Sequence, residues 1–271
     1  MARVESAADK QETTDLRITR SGATMTIEIN RPDENNRLTL DAFNRLEQLT
    51  RELARDDTIN VVVFTGSGSD FFSMGILNPT VRASLSKREI IDIVLFGHHV
   101  FNAIDALPQI TIAALNGAAR AGAVELALAC DIRVAAEHST FACPEASWAS
   151  YPGCGAPYRL ASAIGRARAI EIICTAREVK SIEMERIGFT QFVYSAAQFQ
   201  SETSKLASRI AAMGPLATRD TKRILRVREE PGLAAASELS DALRHEIEWS
   251  EDVQEALAAH REGRSPQYTG R

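Results

Sequence analysis

Two short apolar runs constrain this chain more than any other feature. They are Val61-Val62-Val63-Phe64-Thr65 and Ile110-Thr111-Ile112-Ala113-Ala114-Leu115. Each has strand length and almost no polar position, which suits a parallel sheet covered on both faces. Each ends at a glycine-bearing turn, Gly66-Ser67-Gly68-Ser69 and Asn116-Gly117. Upstream, residues 16–30 alternate in two runs, with Met25, Ile27 and Ile29 on one side and Thr24, Thr26 and Glu28 on the other. Ser21-Gly22 between the runs predicts a hairpin. A helix is expected near Thr39, with Thr39 as its cap and Phe43, Leu46, Leu49 and Leu53 as its buried stripe. A long helix over 86–106 follows, capped by Ser86, then a short one from Ala123.

Further strands are expected over 132–135, 140–142 and 192–194. Helical segments fill the stretch from about Pro157, punctuated by Gly165, Thr175 and Gly188. From Ala196 onward the pattern is helical, with breaks expected at Gly214-Pro215 and Pro231-Gly232. Strand-helix units followed by helices alone predict an α/β core with a helical C-terminal piece. Three regions result: a loose polar tail over 1–13, a core over 14–195 and a helical region over 196–271.

Several function classes are disfavoured. A formal charge of −5 leaves no basic footprint for nucleic acid or an anionic membrane. No apolar run reaches bilayer-spanning length, and the first dozen residues lack the apolar stretch of a secretory signal. Cys130, Cys143, Cys154 and Cys174 show no metal or disulfide spacing. A reducing, cytoplasmic setting is the expectation. Cys154 reads as a buried or loop thiol, since no base is placed beside it. His98 and His99 read as surface residues, because neighbours on a helix point in different directions.

Two glutamates carry the chemistry. Glu125 sits in the apolar helix start Ala123-Val124-Glu125-Leu126-Ala127. Glu145 lies in Phe141-Ala142-Cys143-Pro144-Glu145, just before Tyr151-Pro152-Gly153-Cys154-Gly155. A carboxylate in so apolar a setting is costly unless paired, protonated or in contact with water in a cleft. Two converging on one water would activate it and move its protons. Trp148 and Tyr151 flank the same loop and either line a pocket or fill core.

The stretch over 110–193 resembles the crotonase (enoyl-CoA hydratase/isomerase) superfamily. The resemblance rests on Ile112-Ala113-Ala114-Leu115-Asn116-Gly117, on Glu125-Leu126-Ala127-Leu128-Ala129-Cys130-Asp131-Ile132-Arg133, on Phe141 with Pro144-Glu145, and on Pro152-Gly153-Cys154-Gly155. Asn30-Arg31-Pro32, Ser250-Glu251-Asp252 and Arg264-Ser265-Pro266 extend it over nearly the whole chain after the tail. It implies a crotonase-like spiral of ββα units, with a helical end that associates copies into trimers or hexamers.

The resemblance also implies an oxyanion hole from the main-chain N–H groups of Ile76 and Gly122. It implies Glu125 and Glu145 as general acid and base, and Gly153 in a loop that orients the water. The activity implied is an enoyl-CoA hydratase-type lyase. An isomerase, which needs only the Glu145-type acid, and a carbon–carbon hydrolase acting on β-diketones stand as alternatives within the superfamily. A catalytically silent binding homologue is a third. Coenzyme A enters as part of the substrate, and no metal or separate cofactor is implied.

The sequence departs from the family pattern in places that bear on substrate. Arg120-Ala121-Gly122-Ala123 stands where the family has a glycine run, and puts a cation beside the oxyanion loop. Arg120 is expected to meet an acidic substrate group or Glu125. Met74 and Gly75 precede Ile76 and join the candidate substrate contacts. Arg37 replaces a small residue near the expected adenine site, and a phosphate-pairing lysine is lost near the C-terminus. Arg37, Arg261 and Arg264 are the electrostatic substitutes.

Overall fold

The computed structural model describes residues 15–267. The tail expected over 1–13 lies outside them. Strands β1 (Leu16–Ser21) and β2 (Thr24–Ile29) form the hairpin, with Gly22 at φ +57° in its turn. Helix α1 (Leu40–Leu53) starts where expected: the Thr39 hydroxyl accepts from the Ala42 N–H at 3.0 Å. Its buried side includes the stripe read from sequence. Strands β3 (Val61–Gly66) and β4 (Phe71–Ser73) follow, then helices α2 (Pro79–Arg82) and α3 (Lys87–Asp105). Ser86 and Glu89 close a capping box on α3. The next turn is β5 (Ile110–Leu115), β6 (Ala118–Arg120) and α4 (Gly122–Leu128).

After these come β7 (Ile132–Ala136), β8 (Thr140–Ala142), a 3-10 turn over Pro144–Trp148, α5 (Ala156–Ile164) and α6 (Arg166–Thr175). Strand β9 (Val179–Lys180), α7 (Ser181–Ile187) and β10 (Phe192–Tyr194) complete the mixed part. Helices α8 (Phe199–Ala211), α9 (Pro215–Glu248) and α10 (Glu251–Glu262) form the end.

The strands make two sheets. The larger has the order β1-β2-β3-β5-β7-β10 and is parallel except for the β1–β2 hairpin. The smaller has the order β4-β6-β8-β9, with only β9 antiparallel. Each pair β3/β4, β5/β6 and β7/β8 therefore places one strand in each sheet, and the chain advances as a spiral. The apolar runs are covered on both faces. Val62, Phe64, Ala113 and Leu115 join the main core with α1 and α3. Val61, Val63, Ile112 and Ala114 pack beneath Leu206, Ala207 and Ile210 of α8.

Polar side chains hold the turns between the sheets. Asn116 Oδ1 accepts from the Gly66 N–H at 2.9 Å, and its Nδ2 donates to the carbonyls of Gly68 (2.9 Å) and Phe71 (3.1 Å). Asn36 Nδ2 donates to the carbonyls of Ser67 and Phe71. The buried main-chain groups of this crossover are thus satisfied without regular structure. On the far side, Lys222 of α9 donates to Asp131 Oδ2 (2.7 Å), which also accepts from the Thr111 N–H. Helix α9 is tied across the core.

Three expectations need correction. Helix α9 runs unbroken through Pro231-Gly232, where a break was predicted. The small sheet was largely unforeseen: β4, β6 and β9 are three residues long or shorter, too brief to show alternation. His98 is not a surface residue. It is 2% exposed, because α9 packs on α3 and Tyr158 of α5 reaches its ring. Its Nδ1 lies 2.6 Å from Asp241 Oδ1 and its Nε2 lies 2.8 Å from the Tyr158 hydroxyl. His99 is exposed, as read.

One backbone feature bears on the site. Ala121, between β6 and α4, sits at φ +51° and ψ −127°, a region that disfavours any Cβ. Two outcomes are expected. Asn116→Ala strands one buried N–H and weakens two carbonyl contacts, so it should cost about 3 kcal/mol and lower Tm by roughly 6–10 °C; an unchanged melting curve contradicts the crossover role. Ala121→Gly relieves the φ penalty and should stabilise the protein by about 1 kcal/mol in urea unfolding; a destabilised variant contradicts the assigned strain.

Candidate active site

The β6–α4 junction and the loop after Ser73 meet edge to edge. Gly75, at φ +83°, fits only because it lacks a Cβ, which would lie 2.5 Å from the Arg120 carbonyl oxygen and 2.9 Å from the Gly122 nitrogen. A Cβ on Gly122 would in turn lie 2.7 Å from Ile76 Cδ1. The Ile76 and Gly122 amides are therefore neighbours at the mouth of α4. Neither N–H has a main-chain acceptor among the described residues. The start of α4 adds the positive end of its short dipole.

Glu125 follows in the first turn of α4 and is 2% exposed. Its Oε1 accepts from the Cys154 N–H at 2.6 Å and the Ala156 N–H at 3.1 Å. Glu145 stands in the 3-10 turn after Pro144 and is 8% exposed. Its Oε2 is buried without a hydrogen-bond partner among the described residues. Burial raises the pKa of both groups. Two main-chain donors oppose that rise at Glu125, whereas at Glu145 the charge of Glu125 adds to it, and its pKa is pushed up to about 8. The charge of Glu125 makes Glu145 harder to ionise, so the two carboxyls titrate as one linked pair.

Both glutamates line one small cavity with Ile76, Gly122, Gly153, Trp148 and Tyr151. Its volume is about 30 Å³, the space of a single water-sized group. Seven of the residues singled out from sequence therefore converge. Gly153 is required for close approach: a Cβ there would lie 2.5 Å from Arg244 Nη2 and 2.6 Å from Val94 Cγ1.

Arg37, Met74, Gly75 and Arg120 lie outside this lining. Arg37 pairs with Glu34 at 3.1 Å, and the Met74 N–H donates to the Asn35 carbonyl. Arg120 does not meet Glu125. Its guanidinium binds Thr140 and forms an ion pair with Glu178, which directs it away from the cavity. Arg264 is engaged by Glu255 and Glu262.

Sequence reasoning missed two lining residues that matter. Arg82 of α2 donates to both carboxylate oxygens of Glu248 at 2.9 Å. Arg244 of α9 donates to the Ser150 hydroxyl at 2.9 Å and the Tyr151 carbonyl at 2.6 Å, and lies 4.5 Å from the Tyr151 ring centre. Their only sequence signal is the i,i+4 pair Arg244/Glu248, which in most helices marks a solvated face. Cys154 is buried, its thiol faces the Val94 carbonyl, and burial holds its pKa well above the ordinary value, which suits an inert thiol. Among the described residues, no group of three or more His, Cys, Asp or Glu side chains is arranged to hold a metal. No helix there is long and apolar enough to cross a membrane.

Comparison with known proteins agrees with this architecture. The enoyl-CoA hydratase/isomerase family model matches residues 19–271. A crotonyl-CoA hydratase from Syntrophomonas wolfei is 33% identical over 194 residues, covering 72% of this chain and 74% of its own. A short-chain-enoyl-CoA hydratase from Clostridium acetobutylicum is 27% identical over 251 residues, covering 90% and 94%. Among solved structures, an enoyl-CoA hydratase from Mycobacterium avium subsp. paratuberculosis superposes with a TM-score of 0.83 at 27% identity, covering 94% of this chain and 98% of its own. The spiral of two-sheet turns, the paired glutamates and the family match together place this chain in the enoyl-CoA hydratase/isomerase family, within the crotonase superfamily.

Proposed function

We propose that this protein adds water to an α,β-unsaturated acyl-CoA, or removes it in reverse. The observation that carries the reading is two buried carboxyl groups of raised pKa in one water-sized cavity beside two free-standing main-chain amides. The thioester oxygen accepts from the Ile76 and Gly122 N–H groups. Attack at C3 pushes negative charge onto that oxygen, where each preorganised donor is worth about 3–4 kcal/mol. Glu125, steadied by the Cys154 and Ala156 amides, takes a proton from the water as its oxygen bonds to C3. Glu145 delivers its proton to C2. One proton has then passed from Glu145 to Glu125 by way of substrate, and its return resets the pair.

Two features favour hydration over the superfamily alternatives. A proton shuttle between carbons requires only Glu145, yet Glu125 has two dedicated main-chain donors. A β-diketone hydrolase of this superfamily uses a histidine and an aspartate at the positions of Glu145 and Cys154. Exposed Met213, Leu216, Ile224 and Leu225 around the start of α9 support association of copies into trimers or hexamers through the helical region.

Glu125→Gln and Glu145→Gln should each lower turnover of crotonyl-CoA by about 10²–10⁴-fold, followed as loss of conjugated-thioester absorbance, with the fold retained. Near-native rates in either variant defeat the two-acid mechanism. Turnover in the hydration direction should fall as pH rises through about 8, where Glu145 loses its proton; a rate still rising above pH 9 contradicts the assignment. Stability follows the same group. A carboxyl whose folded pKa exceeds its unfolded value contributes stability below the unfolded value and loses it as pH rises toward the folded one. Glu145→Gln should therefore be more stable than the parent at pH 8, by on the order of 1–3 kcal/mol, with the difference shrinking toward pH 5.

A further inference from the structure

Arg244 is buried at 2% exposure yet has no hydrogen-bonded anion. Its partners, the Ser150 hydroxyl and the Tyr151 carbonyl, are neutral, and its Nε has no partner among the described residues. The neighbouring carboxylate, Glu248, lies 3.9 Å away and already accepts twice from Arg82. Both guanidinium groups line the cavity that holds the glutamates. A buried cation is retained only where an anion or a dense set of hydrogen bonds compensates for lost water. Here the described residues supply two neutral hydrogen-bond acceptors, Glu248 at 3.9 Å and the nearby charges of Glu125 and Glu145, and leave Nε unmet.

The cavity wall makes the same point. With the carbonyl at Ile76 and Gly122 and the water between the glutamates, the residues left to meet an acyl chain extending past C3 include Leu77, Arg82, Val94, Trp148, Ser150, Tyr151 and Arg244. That wall is narrow, and the Arg82 and Arg244 guanidinium groups stand in it among apolar side chains. We infer that Arg244, backed by Arg82, receives a carboxylate at the far end of a short acyl group, so that the substrate is a 2-enoyl-CoA whose acyl chain ends in a carboxylic acid. Guanidinium and carboxylate pair as matched planar partners. The inference rests on the hydratase reading for the placement of the acyl group.

The test uses the full chain and two matched pairs of thioesters. Binding of glutaryl-CoA and pentanoyl-CoA, which cannot be hydrated, is measured by calorimetry. Hydration of glutaconyl-CoA and pent-2-enoyl-CoA is followed by absorbance. The acid-ended member should bind at least about ten-fold more tightly and show a correspondingly higher kcat/KM. Arg244→Met should abolish that ratio, and Arg244→Lys, which keeps the charge, should restore part of it. Equal or weaker binding of glutaryl-CoA, or an unchanged ratio in Arg244→Met, overturns the inference. Tighter glutaryl-CoA binding with neither enoyl thioester hydrated leaves the carboxylate site standing and removes the hydratase reading instead. If Arg244→Met does not fold, the parent protein and Arg244→Lys decide the question.

Discussion

Glu125 stays in the protein interior because two main-chain amides, those of Cys154 and Ala156, hold its Oε1. Charged acceptors in such bonds gain more than neutral ones, and this gain opposes the desolvation that would otherwise keep the acid protonated. The bonds also work in the other direction. They fix the loop from Pro152 to Gly155 against α4, and that loop brings Gly153 under Arg244 and Tyr151 beside it. Glu145 has no equivalent support for its Oε2. The asymmetry sets two otherwise similar side chains apart.

The rest of the fold serves that asymmetry. The two sheets bring the ends of β4, β6 and β8 to one place, so three consecutive loops present the Ile76 and Gly122 amides and the Glu145 turn. Helix α9 then crosses the core, fixed at one end by Lys222 on Asp131 and at the other by Glu248 on Arg82. Between these points it carries Asp241 to His98 and Arg244 to the cavity. A site built this way is preorganised, and its buried acids lower stability in return.

Much of the architecture was legible in sequence because it rests on local signals. The runs at Val61 and Ile110, the Thr39 and Ser86 caps and the Ser21-Gly22 turn each encode their element within a few residues. The paired glutamates were legible because acids in apolar segments are rare and both fell in a recognisable family pattern. The small sheet was not, since strands as short as Ala118–Arg120 carry no period and exist through their neighbours. Nor were His98 and Arg244, whose burial depends on helices more than 90 residues apart in sequence meeting in space. Arg120 was misdirected for the same reason: its partner, Glu178, is distant in sequence. Helix α9 continues through Pro231-Gly232 despite that local breaker signal.

The central claim is that Glu125 and Glu145 share one proton in one small cavity. Infrared difference spectroscopy of the protein with isotope-labelled glutamate, taken across pH 5–9, reads buried protonated carboxyls directly. The account predicts one such band at neutral pH that fades as pH passes about 8 and is absent in Glu145→Gln. Two fully ionised carboxylates throughout that range would contradict it.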